Sequence, residues 1–156
     1  TIQEFLEDMK SGLLVGKDFS IALQALIEEM SQVKSLPIQI DIDPGAAARL
    51  TKDQSIQLMH ITREAIRNSQ QHAEAKKGRV RLKRGHDVVA LEIFDNGHGF
   101  EVDLVKAQGN GLGNMVARAK KIGARLKINS DMKQGTHIYV EVPIDPVAVE
   151  HPSVLQ

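Results

Sequence analysis

The stretch from residue 51 to about residue 73 constrains the fold more than any other part of the chain. Thr51 followed three residues later by Gln54 is a capping box, a helix start at which two unpaired backbone donors are satisfied reciprocally. Beyond it, Leu58, Met59, Ile61, Ala65 and Ile66 make a broad apolar face. Beside that face runs a narrow polar stripe of Glu64, Asn68, Gln71 and His72, which fall together at about 100° per residue. A helix patterned in this way must lay its apolar side on another layer.

The neighbouring segments supply that layer. Ile2, Phe5, Leu6 and Met9 recur at helical spacing, and Ile21, Leu23, Ala25, Leu26 and Met30 do so again after a break at Gly12 and Gly16. Residues 37–42 alternate strictly as a half-buried strand, closed by a turn at Asp43-Pro44-Gly45. After the long helix, strands at 79–83 and 88–94 are joined by Arg84-Gly85-His86-Asp87. A loop with several glycines and a short helical stretch at 102–107 lead to a helix over 112–122, which Gly123 stops. Two last strands, 125–129 and 136–142, flank the turn Asp131-Met132-Lys133-Gln134-Gly135. This order predicts an α+β fold, a two-layer sandwich with a mixed, mostly antiparallel sheet and about three helices on one face. Residues 18–144 read as one domain, preceded by a helix end and linker at 1–17. The proline-containing tail at 145–156 is expected to be disordered.

At 156 residues the chain can bury the core of one ordinary domain. Its 20 basic and 20 acidic side chains cancel, so no broad electrostatic footprint on nucleic acid or anionic membrane is expected. A local basic site for phosphate stays open. The lack of cysteine excludes disulfides and thiolate metal sites and fits a cytoplasmic location. No apolar run approaches the roughly 18–20 residues that cross a bilayer, and no signal-peptide pattern is present. Because Thr1 opens the chain within a helical pattern, a piece of a longer protein is expected.

Three clusters carry possible chemistry. On the long helix, Glu64 offers a general base and Asn68 a neutral oxygen for a hard cation such as Mg²⁺, although a solvated helix face would carry the same residues. His60 and His72 do not make a zinc pair, since they stand about 18 Å apart along a helix. After the apolar strand comes Asp95-Asn96-Gly97-His98-Gly99-Phe100. A carboxylate at a strand end can accept from the exocyclic amine of adenine, and glycines let backbone approach a planar base. Asn-Gly is also a strong hairpin signal, though His98-Gly99-Phe100-Glu101 begins no second alternating strand. The third cluster, Gly109-Asn110-Gly111-Leu112-Gly113-Asn114, precedes a helix, whose unpaired N–H groups and dipole suit phosphate. It is neither a dinucleotide fingerprint nor a P-loop, because no strand directly precedes it and no lysine follows. Taken alone, it would serve equally as a connector.

Taken in order, Glu-x-x-x-Asn on a helix, Asp-x-Gly-x-Gly after a strand, Gly-x-Gly-Leu-Gly before a helix and Gly135-Thr136 opening the last strand resemble the GHKL ATPase family. That family includes gyrase, heat-shock chaperone, mismatch-repair and histidine-kinase ATPase domains. The run His60-Ile61-Thr62-Arg63-Glu64-Ala65-Ile66-Arg67-Asn68, with His72-Ala73, is similar to the N box of histidine kinases related to nitrate and membrane-fluidity sensors. Gly111-Leu112-Gly113-Asn114-Met115, with Arg118-Ala119 and Ile122-Gly123-Ala124, is similar to their second glycine box and the helix after it. The resemblance runs from about residue 19 to 143.

It implies that Asp95 binds the adenine amine, with Gly97, Gly99 and Thr136 completing the base pocket. Asn68 is then a ligand of Mg²⁺ on the ATP phosphates, and Gly111, Leu112 and Gly113 touch phosphate through backbone. Residues 100–110 become a short mobile lid, and Glu64 the residue that activates the acceptor. Gln71 stands where the family often has a basic residue on phosphate, so His72, Arg67 or Lys76 must compensate or ATP affinity falls. The resemblance also implies a kinase whose phosphoacceptor histidine sits in an upstream paired-helix dimerisation domain. From there phosphate passes to a response regulator with a helix-turn-helix output. The whole protein is then a homodimer, and this domain touches neither nucleic acid nor membrane directly. No histidine precedes His60, so the chain alone is not expected to phosphorylate itself.

Three rival readings differ in class. A degenerate GHKL nucleotide-binding or interaction module without kinase activity is favoured by Gln71 and opposed by Glu64, Asn68 and Asp95. An anti-sigma-factor serine kinase would need no upstream helix pair. A mechanical ATPase of the gyrase or chaperone kind would need a longer lid and a large following domain.

Overall fold

The computed structural model describes residues 17–33, 35–71, 75–97, 111–131 and 135–144. Along them run α1 (Lys17–Val33), β1 (Ile38–Ile42), α2 (Pro44–Ala47), α3 (Lys52–Gln71), β2 (Gly78–Arg84), β3 (Val88–Asp95), α4 (Gly111–Lys121), β4 (Arg125–Asp131) and β5 (Gly135–Pro143). The helical patterns expected at residues 1–16 and 102–107, and the tail from 145, lie outside the described residues.

The strands form one sheet in the order β1-β2-β3-β5-β4. Only the β1–β2 pair is parallel, and α2 and α3 provide the crossover that such a pair requires. All other pairs are antiparallel, which gives the expected two-layer sandwich with a mixed, mostly antiparallel sheet. The alternation of strand side chains decides the layering. Val80, Leu82, Val89, Leu91, Ile93, Ile138, Val140 and Val142 point to one side and are buried there against the helices. Phe19, Leu23, Leu26 and Ile27 of α1 meet them, as do Leu58, Met59, Ile61 and Ile66 of α3 and Leu112 and Met115 of α4. Each fully buried side chain of this size contributes roughly 1.5–3 kcal/mol. Exposed ion pairs, at about 0–1 kcal/mol each, add little beside that layer.

Two local readings change. Ile21 is 68% exposed, because at 100° per residue it points away from the buried stripe of Phe19, Ala22, Leu23, Leu26 and Ile27. Asp43-Pro44-Gly45 is more than a turn, since it starts the single-turn helix α2. Asp43 caps it by accepting from Gly45 N at 2.9 Å, and Pro44 supplies a pre-set φ at the first helical position. Gly123 ends α4 as expected. At φ +64° it lets Ala124 N bond Ala119 O at 2.9 Å and its own N bond Lys120 O at 3.1 Å, a Schellman closure.

Candidate functional site

The capping box forms as the sequence indicates. Thr51 N donates to Gln54 Oε1 at 2.9 Å, and Gln54 N donates to Thr51 Oγ1 at 3.1 Å. Gln54 Nε2 also donates to Pro143 O at 3.0 Å, which ties the start of α3 to the end of β5. With its start held, α3 runs across the sheet and brings its polar stripe to the far end. At Glu64 and Asn68 the stripe is not a solvated face. Asn68 is only 8% exposed, and its amide nitrogen is buried with no hydrogen-bond partner among the described residues. Glu64 is half-buried and paired with Arg67 at 3.5 Å. Gln71 closes the helix in an exposed position, while His72 lies outside the described residues.

Asp95 ends β3, and the inward phase of Val89, Leu91 and Ile93 carries its side chain to the helix side, where it is 8% exposed. A buried carboxylate needs donors. Asp95 Oδ2 accepts from Ser69 Oγ at 2.6 Å, and Oδ1 accepts from Gly97 N at 2.9 Å and Thr136 N at 3.3 Å. Thr136 faces Asp95 directly in the β3–β5 register, and its hydroxyl lies 3.1 Å from that of Ser130. Gly135, at φ +97°, must be glycine, because a Cβ there would run into the Asp95 carbonyl oxygen. Asn96 Oδ1 accepts from Lys76 N at 3.0 Å and Lys77 N at 2.9 Å, so the strand end is stapled to the segment after α3. The alternative of a hairpin at Asn96-Gly97 does not hold, because β2 and β5 take both edges of β3. Gly99 lies outside the described residues.

At the third cluster, Gly111 begins α4, and Leu112 is fully buried in the core, which anchors the helix start. Gly113 is exposed, and a Cβ on it would meet nothing within 4 Å, so packing does not account for this glycine. No group of three or more His, Cys, Asp or Glu among the described residues is arranged to hold a metal. The side-chain oxygen of Asn68 is of the kind that suits a hard cation such as Mg²⁺, which keeps waters and uses few protein donors. A cavity of about 270 Å³ takes the Gln39, Arg79 and Phe94 side chains from the opposite sheet face and is also lined by Lys77, Gly78, Asp95 and Asn96, so it borders the site at the end of β3.

The sequence profile for the histidine kinase-, DNA gyrase B-, and HSP90-like ATPases matches residues 53–146, from the first turn of α3 past the end of β5. The chain belongs to this ATPase family. Membership makes ATP the nucleotide of this ATPase domain. The domain is 35% identical over 133 residues to the sensor histidine kinase LiaS of Bacillus subtilis strain 168, covering 85% of the chain and 36% of that protein. It is 33% identical to the sensor protein VraS of Staphylococcus haemolyticus strain JCSC1435, covering 92% and 42%. The chain thus spans less than half the length of these relatives. Among solved structures, the blue-light activated histidine kinase of Erythrobacter litoralis EL346 superposes with a TM-score of 0.70 at 16% identity, over 92% of this chain and 46% of that one. AdeS of Acinetobacter baumannii gives 0.67 at 12% identity, over 93% and 76%. These two likenesses show the fold. No helix among the described residues is long and apolar enough to cross a membrane.

Ser69, Asn96 and the packing role of Gly135 escape a reading by motif. Ser69 had one signal: with Ser55 and Thr62 it forms a series of hydroxyls seven apart on the buried side of α3, and buried hydroxyls need partners.

Proposed function

We propose that this ATPase domain is the catalytic domain of a sensor histidine kinase, occupying residues 18–144. Residues 1–17 are the end of a dimerisation helix and its linker, and 145–156 a tail. The domain binds Mg²⁺-ATP and donates the γ-phosphoryl group to a histidine of an upstream domain of the same protein. That phosphate then passes to an aspartate of a response regulator with a helix-turn-helix output. The two sensor-kinase relatives support this reading over a serine kinase or a gyrase-like motor. They also support a homodimeric parent protein with this domain on the cytoplasmic side.

The observation that carries the proposal is the state of Asp95. Among the described residues its Oδ1 holds two backbone donors and its Oδ2 only one hydroxyl, so Oδ2 keeps acceptor capacity for an exocyclic amine. Adenine offers that amine, whereas guanine would bring a carbonyl oxygen against a carboxylate. Gly97, Gly99 and Thr136 complete the base pocket. Asn68 would hold Mg²⁺ through its carbonyl oxygen, which leaves its amide nitrogen, without a partner among the described residues, for a phosphate oxygen. The ion, when bound, neutralises charge on the phosphates. Backbone N–H groups of Gly111, Leu112 and Gly113 at the start of α4 favour the same anion. Glu64 activates the acceptor imidazole as a general base once it leaves Arg67. Gln71 and His72 line the phosphate end, and the neutral Gln71 keeps the affinity for ATP modest. Transfer then rests on positioning and charge stabilisation.

Calorimetric titration of ATP with and without Mg²⁺ tests this. Binding to the parent chain should depend on the ion. Asp95→Asn should bind ATP far more weakly, and Asn68→Ala should lose mainly the Mg²⁺ dependence. A folded chain that binds no ATP at millimolar concentration would leave a degenerate module as the surviving reading.

A further inference from the structure

Of the buried hydroxyls on α3, Thr62 satisfies itself locally, donating to Leu58 O at 2.8 Å. Ser69 does not. It is 5% exposed, and its Oγ lies 2.6 Å from Asp95 Oδ2 and 3.1 Å from Ala65 O. A hydroxyl has one proton, and the shorter contact to a charged acceptor takes it. The other two donors to this carboxylate among the described residues, Gly97 N and Thr136 N, both grip Oδ1. Turning the carboxylate about the Cβ–Cγ bond moves both oxygens, so these two bonds restrain the plane from the Oδ1 side. The Ser69 hydroxyl, reaching across from α3, adds the restraint on the Oδ2 side, next to the lone pair left for the base.

We propose that Ser69 is a positioning residue for base selection: by donating to Oδ2 it helps set the carboxylate plane, and so directs the remaining Oδ2 lone pair at the amine of the bound base. This rests on the reading of Asp95 as the adenine acceptor. It gives α3 two tasks in adjacent residues, since Asn68 serves the phosphates and Ser69 the base. A hydroxyl that merely filled space on the buried helix side would affect all nucleotides alike.

The test compares ATP with purine riboside triphosphate, which lacks the exocyclic amine, on the parent chain, Ser69→Ala and Asp95→Asn. The ratio of the two affinities does not depend on the folded fraction, so a destabilised variant still reports. Ser69→Cys, near-isosteric with a weaker donor, gives the same comparison should alanine fail to fold. Ser69→Ala should lose roughly tenfold of the preference for ATP, the size expected when one charge-assisted hydrogen bond is removed. Binding of the amine-free nucleotide should stay within about twofold, less than the effect of one such bond. An unchanged ratio in Ser69→Ala, with the ratio collapsed in Asp95→Asn, overturns the role of Ser69 and leaves Asp95 as the base acceptor. An unchanged ratio in Asp95→Asn overturns both assignments.

Discussion

Along β3 and β5 successive side chains alternate between the helix-covered face and the open one, so neighbouring residues meet different chemistry. Asp95 and Thr136 turn inward to the site, while Phe94 and His137, one position away on each strand, stack on the open face with ring centroids 4.2 Å apart. His137 Nε2 lies 3.1 Å from Glu92 Oε2, and the Tyr139 hydroxyl donates to Glu141 Oε2 at 2.9 Å. That donation raises the Tyr139 pKa above the usual 10.0, with burial and the nearby carboxylate charges of Glu141 and Glu92 acting in the same direction. Since the folded value lies above the unfolded one, the stability this bond supplies is complete below the ordinary tyrosine pKa and is lost as pH rises through the folded value. Tyr139 is the sole tyrosine, so tyrosinate absorbance reports it directly. The native chain should titrate above 10.0, and Glu141→Gln should bring the transition down. A native transition at or below that of the unfolded chain would show that the bond does not persist in solution.

At the scale of elements, α3 does the joining. Its start is clamped by the capping box and by Gln54 to Pro143, its middle buries Leu58, Ile61 and Ile66, and its last turns hold Asn68 and Ser69. The functional end lies more than three turns from the cap. Stability and binding should therefore separate. Thr51→Ala should cost about 1 kcal/mol, read as a lower urea midpoint with an unchanged slope. ATP affinity should remain within about twofold, because sites this far apart with no shared partners behave independently. A large loss of affinity would mean that α3 shifts as a rigid body when its start is freed. Much of this element is legible in sequence, since capping chemistry and helical period are local. The burial of Asn68 is not, because it depends on what the sheet brings against the helix end.

For the whole molecule, the proposed reaction needs two parts, and the acceptor histidine belongs to the other. Supplying a paired-helix domain that carries the histidine should give labelled phosphohistidine only when this chain and Mg²⁺-ATP are both present. Glu64→Gln should slow that transfer by about 10²–10⁴-fold, the usual worth of a positioned acid–base group, with ATP affinity little changed. Equal rates in parent and variant would remove Glu64 from the reaction. The sequence alone determined the identity and order of the main elements, the cap of α3, the stop at Gly123 and the order of the polar clusters, because period, turn chemistry and capping act within a few residues. It could not show that β5 lies between β3 and β4, with Thr136 facing Asp95. Nor could it pair Ser69 with Asp95 or separate Ile21 from the core. Those outcomes follow from which apolar faces bury one another, and only the closed two-layer core decides which side chains then stand within hydrogen-bonding distance.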